Sequence, residues 1–386
     1  MRYAGRVAMA KRQLQGPKPR YNLFSGGPMP IPVTQAVNLK PRPDPSELTF
    51  GTLFTDHMFT MDYSPDKGWH QQRIEPYGPM AMEPSTMVLH YGQGVFEGLK
   101  AYHTPNGGVQ LFRPKENYKR LNNSCRLLCI PPIDEAFALT ATKELVTLEQ
   151  KWVPTAEGTA LYIRPFIIAM DPFLGVRASH TYRFSIILSP VGTYYAEGFN
   201  PIKIWVSEDH VRAVAGGVGE AKTIGNYAAS LVAGDKAHQE GYNQVLWLDG
   251  VTRKQIEEVG AMNIFFVIDD EMVTPALNGS ILPGVTRNSV LEMSRKWGLK
   301  VSERIITIDE VMGVHDQGRL QEVFGSGTAA VISPVGALKY QDRVITIGDG
   351  SVGSTAQKLF AALTDIQYGY APDEMNWIEP VIAPKR

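Results

Sequence analysis

Cysteine is nearly absent, with 2 residues among 386, and this excludes a disulfide framework. Long apolar runs are missing as well: nothing approaches the ~18 consecutive apolar residues that a membrane-spanning helix needs. Neither sign of charge is in excess, since 38 Lys and Arg against 39 Asp and Glu leave a net charge of -1. That balance gives no electrostatic reason to expect a nucleic-acid partner. The 36 glycines follow no three-residue period, so a collagen-like chain is excluded too. What is present is ordinary globular material, 44% hydrophobic and 20% charged, too apolar to stay disordered over its whole length. At roughly 100–200 residues per domain, the length predicts two domains. A soluble intracellular protein is expected.

Acid is missing altogether from residues 1–43, which carry 8 Lys and Arg and 7 Pro. The remaining 343 residues therefore hold thirty bases against thirty-nine acids, a net of -9. A basic, acid-free leader can be a transit peptide, which would direct the protein to the mitochondrial matrix. The prolines, six of them between Pro17 and Pro41, spoil an amphipathic helix, and Ser enrichment is lacking. A solvated extension with polyproline character over residues 1–45 is the expectation, and with it a cytoplasmic protein.

Periodic patterning begins near Phe50. Strands are predicted at 109–113, 160–170 and 183–191, and helices at Pro114–Leu128 and Ala136–Lys151. The Gly, Tyr and Pro residues of 192–201 read as a linker between an N-terminal α/β domain (46–191) and a second unit (202–386). The second unit reads as strands at 202–206, 244–248, 263–268 and 301–307, with helices at Tyr227–Glu240, Thr286–Trp297 and Ser354–Tyr368. The fold class is α/β (α+β) in two domains.

The stretch GGVGEAKT (216–223) carries the most chemistry. As a phosphate-binding P-loop it lacks the second Gly, because Ala221 stands there, and the preceding strand ends nine residues too early at Val206. Its surroundings suggest something else. Lys222 precedes a helix start, Tyr227 follows five residues on, and EEVG (257–260) puts carboxylates just ahead of a buried-type strand. HYGQGVFEGLKAY (90–102), LFRPKENYKRL (111–121), LYIRP (161–165), SILPGVTRNSV (280–290) and FGSGTA (324–329) add Gly turns, hydroxyls and arginines.

Together with FTDHM (54–58), these motifs resemble, in order and over about Phe50–Tyr370, the fold-type IV (class IV) pyridoxal-phosphate enzymes, and among them the branched-chain amino acid aminotransferases. The resemblance implies a smaller N-terminal and a larger C-terminal domain with the cofactor pyridoxal 5'-phosphate at their interface. It implies a homodimer that moves the amino group of L-leucine, L-isoleucine or L-valine to 2-oxoglutarate, giving glutamate. Lys222 matches the lysine that binds the cofactor and shuttles the proton, a role that needs an amine able to lose its proton near neutral pH. Glu258 matches the carboxylate at the pyridine nitrogen; Glu257 beside it is expected to face solvent, since neighbours on a strand point to opposite sides. Tyr227 matches the phenol at O3'. Arg120, Val285, Thr286 and Thr328 match the phosphate cup, with the helix N-terminus after Gly284 favouring an anion.

On the substrate side, Tyr91, Thr328 and Ala329 match the α-carboxylate anchor, and Tyr162 and Arg164 match the groups that receive the glutamate side chain. Phe50, Phe96, Tyr194 and, from the partner subunit, Val176 match the apolar pocket. Two departures stand out: Ala261 replaces the Thr usual after E-V-G, and Ala330 and Ser333 occupy the places of a redox C-x-x-C. Cys125 and Cys129, one helical turn apart, are expected on a buried face as structural residues. The 8 His show no ligand spacing, and no metal is proposed. A D-amino acid transaminase or an aminodeoxychorismate lyase would share the lysine and carboxylate, but LYIRP and FGSGTA argue against both. A nucleotide-binding module would rest on the incomplete P-loop alone.

Overall fold

The computed structural model describes residues 30–192 and 199–384. Two sheets organise the chain. The first contains β1 (His57–Ser64), β2 (Gly68–Pro76), β3 (Gly94–Phe96), β4 (Leu99–His103), β5 (Val109–Phe112), β6 (Ala160–Ala169) and β7 (Tyr182–Val191). The second contains β8 (Ile202–Val206), β9 (Gln244–Leu248), β10 (Ile256–Val259), β11 (Met262–Ile268), β12 (Glu271–Pro275), β13 (Lys300–Arg304), β14 (Leu320–Gly327), β15 (Val331–Tyr340) and β16 (Arg343–Thr346). A last strand, β17 (Ile378–Ile382), returns to the first sheet and pairs with β5.

The first sheet runs β17-β5-β4-β6-β7-β1-β2, antiparallel at every pairing, with β3 hydrogen-bonded to β6. β6 is buried along both faces apart from Arg164 and Phe166, the pattern of a strand covered on two sides. The Leu161, Ile163 and Ile167 face is covered by α2 (Pro114–Leu127) and α3 (Glu135–Leu148), which follow the short α1 (Met87–Tyr91). α3 starts where the Asp134 carboxylate accepts the Phe137 N–H at 2.9 Å, a cap worth about 1 kcal/mol. Tyr118, Leu121, Leu145, Ile163 and Phe184 are fully buried between the layers.

The second sheet curls on itself. β10 pairs with β9 on one side and β11 on the other, so β8, β9, β10, β11, β14 and β15 close a ring. The two-residue turn Gly260–Ala261 makes that closure, with Gly260 at φ +56°, where a Cβ would collide with the Gln244 side chain. Around it lie α4 (Ile224–Ala228), α5 (Leu231–Gln239), α6 (Val285–Lys296), α7 (Ile308–Asp316) and α8 (Ser354–Tyr368). An apolar cluster of Tyr102, Phe112, Phe265, Phe324, Leu359 and Trp377 joins the two sheets.

Several expectations are revised. The single helix expected at Tyr227–Glu240 is two, α4 and α5, because the chain turns at Ala229 and Ser230, and Tyr227 belongs to the first. The C-terminal unit does not end the pattern at α8, since β17 crosses back to the first sheet. The later part of the basic extension is tied down: the Ala36 N–H donates to His57 Nε2 at 2.8 Å, and Arg42 pairs with the Asp56 carboxylate at 3.1 Å. Cys125 is buried, but Cys129 follows the end of α2 in a left-handed conformation and is exposed, so the two do not share a buried face.

Candidate functional site

Lys222 sits just before α4, and its position is set by bonds to two other segments, α2 and β3. Its backbone N–H donates to the Ser124 hydroxyl of α2 at 3.0 Å, and its carbonyl accepts the Phe96 N–H at 3.0 Å. The next residue, Thr223, donates its hydroxyl to the Gly94 carbonyl at 2.7 Å. The ammonium is thereby aimed into a cleft between the sheets, where Nζ lies 2.7 Å from the Tyr227 phenol and 5.0 Å from the Phe96 ring centre.

One end of the cleft adjoins Glu258. This carboxylate lines a neighbouring cavity that shares Tyr227, Gln244, Ala261 and Leu282 with the cleft. Its Oε1 accepts the Leu282 N–H at 2.7 Å, and its Oε2 lies 2.9 Å from Arg212 Nε. Burial pushes its pKa up, and the Arg212 charge and the Leu282 N–H recover only part of that. Glu257 is not solvent-facing: it is as buried as Glu258 and bonds to Ser280 and Asn278. β10 bulges between Ile256 and Glu258, which interrupts the alternation at Glu257, and the loop at 278–282 supplies both carboxylates with donors.

At the other end stand Arg120 and the start of α6. Arg120 grips Glu97 with two bonds, Nε–Oε1 at 2.7 Å and Nη2–Oε2 at 2.8 Å, and its Nη1 reaches the Pro283 carbonyl at 3.1 Å. Burial raises the Glu97 pKa, but Arg120 above all, with Lys222 and Asn117, outweighs it and holds the carboxylate below its usual range. Gly284 caps α6 without any side-chain bond, leaving the first-turn N–H groups of Val285 and Thr286 at the cleft wall. A Cβ on Gly284 would lie 2.1 Å from Asn263 Oδ1, so only glycine brings the backbone this close. The Ser326 hydroxyl, buried at the same wall, has no protein partner.

The remaining wall is aromatic and cationic. Phe50 packs edge-on to Tyr162 at 4.9 Å, and the Arg164 guanidinium stacks over Phe96 at 4.8 Å while donating to the Tyr162 hydroxyl at 3.0 Å. Arg164 Nε is buried with no partner. The hairpin turn Gly327–Val331 presents Thr328, Ala329 and Ala330 to the cleft, beside Ala261. Most expected site residues therefore converge. Tyr91 and Val176 do not line the cleft of their own chain. Tyr91 donates its hydroxyl to the Leu174 carbonyl, and Val176 projects from the same loop at 86% exposure. Tyr194 lies outside the described residues. Glu97, Arg212 and Ser326 had no role in the sequence reading; the first and last lie inside quoted motifs, whereas nothing around Arg212 marks it.

The family model for amino-transferase class IV matches residues 94–338. The chain is 59% identical over 344 residues to branched-chain-amino-acid aminotransferase 2 of Bacillus subtilis, covering 89% of this chain and 95% of that one. It is 45% identical to the branched-chain-amino-acid aminotransferase of Mycolicibacterium smegmatis over 90% of this chain and 95% of that one. Among solved structures, the branched-chain amino acid aminotransferase of Escherichia coli superposes with a TM-score of 0.70 at 26% identity, covering 84% of this chain and 99% of that chain. A T.th. branched-chain amino acid aminotransferase with pyridoxamine 5'-phosphate gives the same TM-score and identity, over 84% and 98% of the two chains. A two-sheet fold with a lysine in the cleft between the sheets defines a class IV aminotransferase, and this chain belongs to that family and, within it, to the branched-chain-amino-acid aminotransferases.

Proposed function

We propose that the enzyme binds pyridoxal 5'-phosphate in this cleft and transfers the amino group of L-leucine, L-isoleucine or L-valine to 2-oxoglutarate, reversibly and in two half-reactions. The observation that carries the reading is the spacing of groups around Lys222: a phenol at 2.7 Å, a buried carboxylate at one end, and an arginine with an open helix N-terminus at the other. When bound, the cofactor supplies an aldehyde carbon for the amine and a ring that accepts the electron pair left on the substrate Cα. Arg120, the N–H groups of Val285 and Thr286 and the hydroxyls of Thr286, Ser326 and Thr328 form a cup suited to a phosphate dianion. Glu258, whose burial favours a shared proton, fits a pyridinium N–H. Tyr227 fits the ring hydroxyl and keeps the Lys222 amine oriented. Lys222 Nζ would take the proton from the substrate Cα and deliver it to the former aldehyde carbon of the cofactor, so that the amino group stays with the cofactor when the 2-oxo acid leaves.

Specificity follows from the far wall. Phe50, Phe96 and Tyr162 offer apolar surface to a branched side chain, while Arg164 and the Tyr162 hydroxyl receive the γ-carboxylate of glutamate or 2-oxoglutarate in the same space. Thr328 and Ala329 anchor the α-carboxylate, without a hydroxyl from Ala261. The exposed apolar set Leu89, Tyr91, Phe173, Leu174 and Val176 is suited to a homodimer contact. In that dimer Tyr91 and Val176 would complete the partner's cleft rather than their own. Two unpaired cysteines suit a reducing cytoplasm.

Lys222→Ala should remove both the cofactor's visible absorbance band and turnover; a variant with full activity overturns the assignment. Loss of the wild-type band with L-leucine but not with D-alanine separates this reading from a D-amino acid transaminase.

A further inference from the structure

Lys100 is a lysine with almost no water. It lies on β4 opposite Tyr162 of β6, and it is 8% exposed. Its ammonium donates to the Ala329 carbonyl at 2.8 Å. Burial alone pulls its pKa down to about 8. A buried cation on a single neutral acceptor is costly, and no part of the transamination described above uses it.

The carbonyl it holds belongs to an unusual turn. Gly327 pairs with Val331 across a three-residue loop, and Val331 closes it at φ +61°. Hairpins of this kind ordinarily put glycine or asparagine there. A β-branched, buried residue in that region carries strain of order 1–3 kcal/mol and persists only where its surroundings hold it. Two cavities meet at the turn. Ala329 and Ala330 face the cleft containing Lys222 on one side, and on the other a cavity walled by Lys100, Tyr102, Ser333, Phe360 and Gln367. Lys100 thus grips the turn from behind, on the side that substrate does not reach.

We infer that Lys100 is a positioning residue for the substrate α-carboxylate: by holding the Ala329 carbonyl it keeps the strained Thr328–Ala330 turn in the shape that receives the carboxylate. The inference rests on the proposed role of that turn. Only the ammonium form can donate three hydrogen bonds and carry the charge that makes this bond strong. The groups facing it are Tyr102 on its own strand, Tyr162 on β6, and Gln367 and Tyr368 on α8, with no carboxylate among the described residues of that cavity. Burial lifts the Tyr368 phenol to about 12 and the Tyr102 phenol well above its ordinary value, so neither ionises while Lys100 titrates.

The test uses the cofactor-loaded enzyme, Lys100→Met and Lys100→Arg. The readouts are kcat and KM for L-leucine, the Kd of 4-methylvaleric acid from its perturbation of the visible band, and thermal melting. Lys100→Met should raise both KM and Kd about tenfold, the loss of one charged hydrogen bond, with kcat changed less than threefold, because the anchor serves ground and transition states alike. Lys100→Arg should restore both. In the wild type the Kd should weaken as pH rises through about 8, whereas the arginine variant should lack that step; the rest of the cleft is the same in both and cancels in the comparison. If Lys100→Met does not fold, this pH difference decides alone. Unchanged KM and Kd in a folded Lys100→Met variant, or identical pH profiles for wild type and Lys100→Arg, overturns the inference. A wild type that neither turns over L-leucine nor binds the acid overturns the proposed function instead.

Discussion

Glu97 and Glu258 are equally hidden from water, yet their environments push them in opposite directions. Both begin with the same burial penalty. Glu97 meets a bidentate guanidinium, the Asn117 amide at 2.9 Å and its neighbour's N–H, accepting at both carboxylate oxygens, and it stays an anion. Glu258 meets one N–H and one side of Arg212, whose remaining bonds go to the Gly219 and Ser280 carbonyls. It is under-compensated. The first carboxylate fixes a cation that the cleft needs; the second keeps an appetite for a proton-bearing partner. Burial sets the penalty, and the number of donors decides what the group is for.

The sharpest way to break this contrast is Glu258→Gln. If its charge keeps a proton on the bound ring, kcat should fall about a hundredfold or more, while the cofactor, held by its other end, stays bound. Steady-state kinetics beside the visible band checks both, and wild-type turnover would remove Glu258 from its role.

Glu97→Gln should act mainly on the fold. It leaves Arg120 buried without its counter-charge, and the cost is about 3–5 kcal/mol, read as a lower melting temperature. The pH response separates the two carboxylates further, in the cofactor-free protein. Glu97 has a folded pKa below its ordinary 4.5, so it binds fewer protons folded than unfolded. Its contribution is present above pH 4.5 and is lost as pH falls through the depressed value. Glu258 has a folded pKa above 4.5, so its contribution is full below that pH and is lost as pH rises through the elevated value. Glu97→Gln should therefore flatten the melting curve below pH 4.5, and Glu258→Gln should flatten it above. Both variants flattening the same limb would refute the contrast.

A smaller effect tests the Glu97 side of the cleft. A Cβ on Gly98 would lie 2.0 Å from the Tyr162 hydroxyl. Gly98→Ala should push that phenol from Arg164 and raise KM for 2-oxoglutarate about tenfold, with a much smaller change for L-leucine. An equal change for both substrates would mean that Tyr162 does not discriminate between them.

Much of the site was legible because its chemistry is tied to local backbone features. Lys222 before a helix, Gly284 opening α6 and the strand carrying Tyr162 and Arg164 each announce themselves within a dozen residues. Glu258 could be chosen over Glu257 by motif, but the reason offered for rejecting Glu257 failed. Strand alternation presumes a regular ladder, but β10 bulges between Ile256 and Glu258, and both carboxylates find donors on the loop at 278–282. The same limit applies to Cys129, where helix spacing was extended past the end of α2 at Leu127.

Sequence alone determined the family, the strands that became β5–β9 and β11 with the helices α2, α3, α6 and α8, and which residue types meet the reacting amine. Those depend on short-range periodicity, turn chemistry and motif spacing, all written along the chain. Only the tertiary structure decided who partners whom: Arg120 with Glu97, Arg212 with Glu258, Lys100 with the Ala329 carbonyl, and β17 with β5, far back in the chain. It also set Tyr91 and Val176 apart from their own cleft. The physical reason is that burial and pairing are properties of the closed fold. A charged side chain's state follows from how many donors and how much water surround it, and no spacing along the chain specifies either.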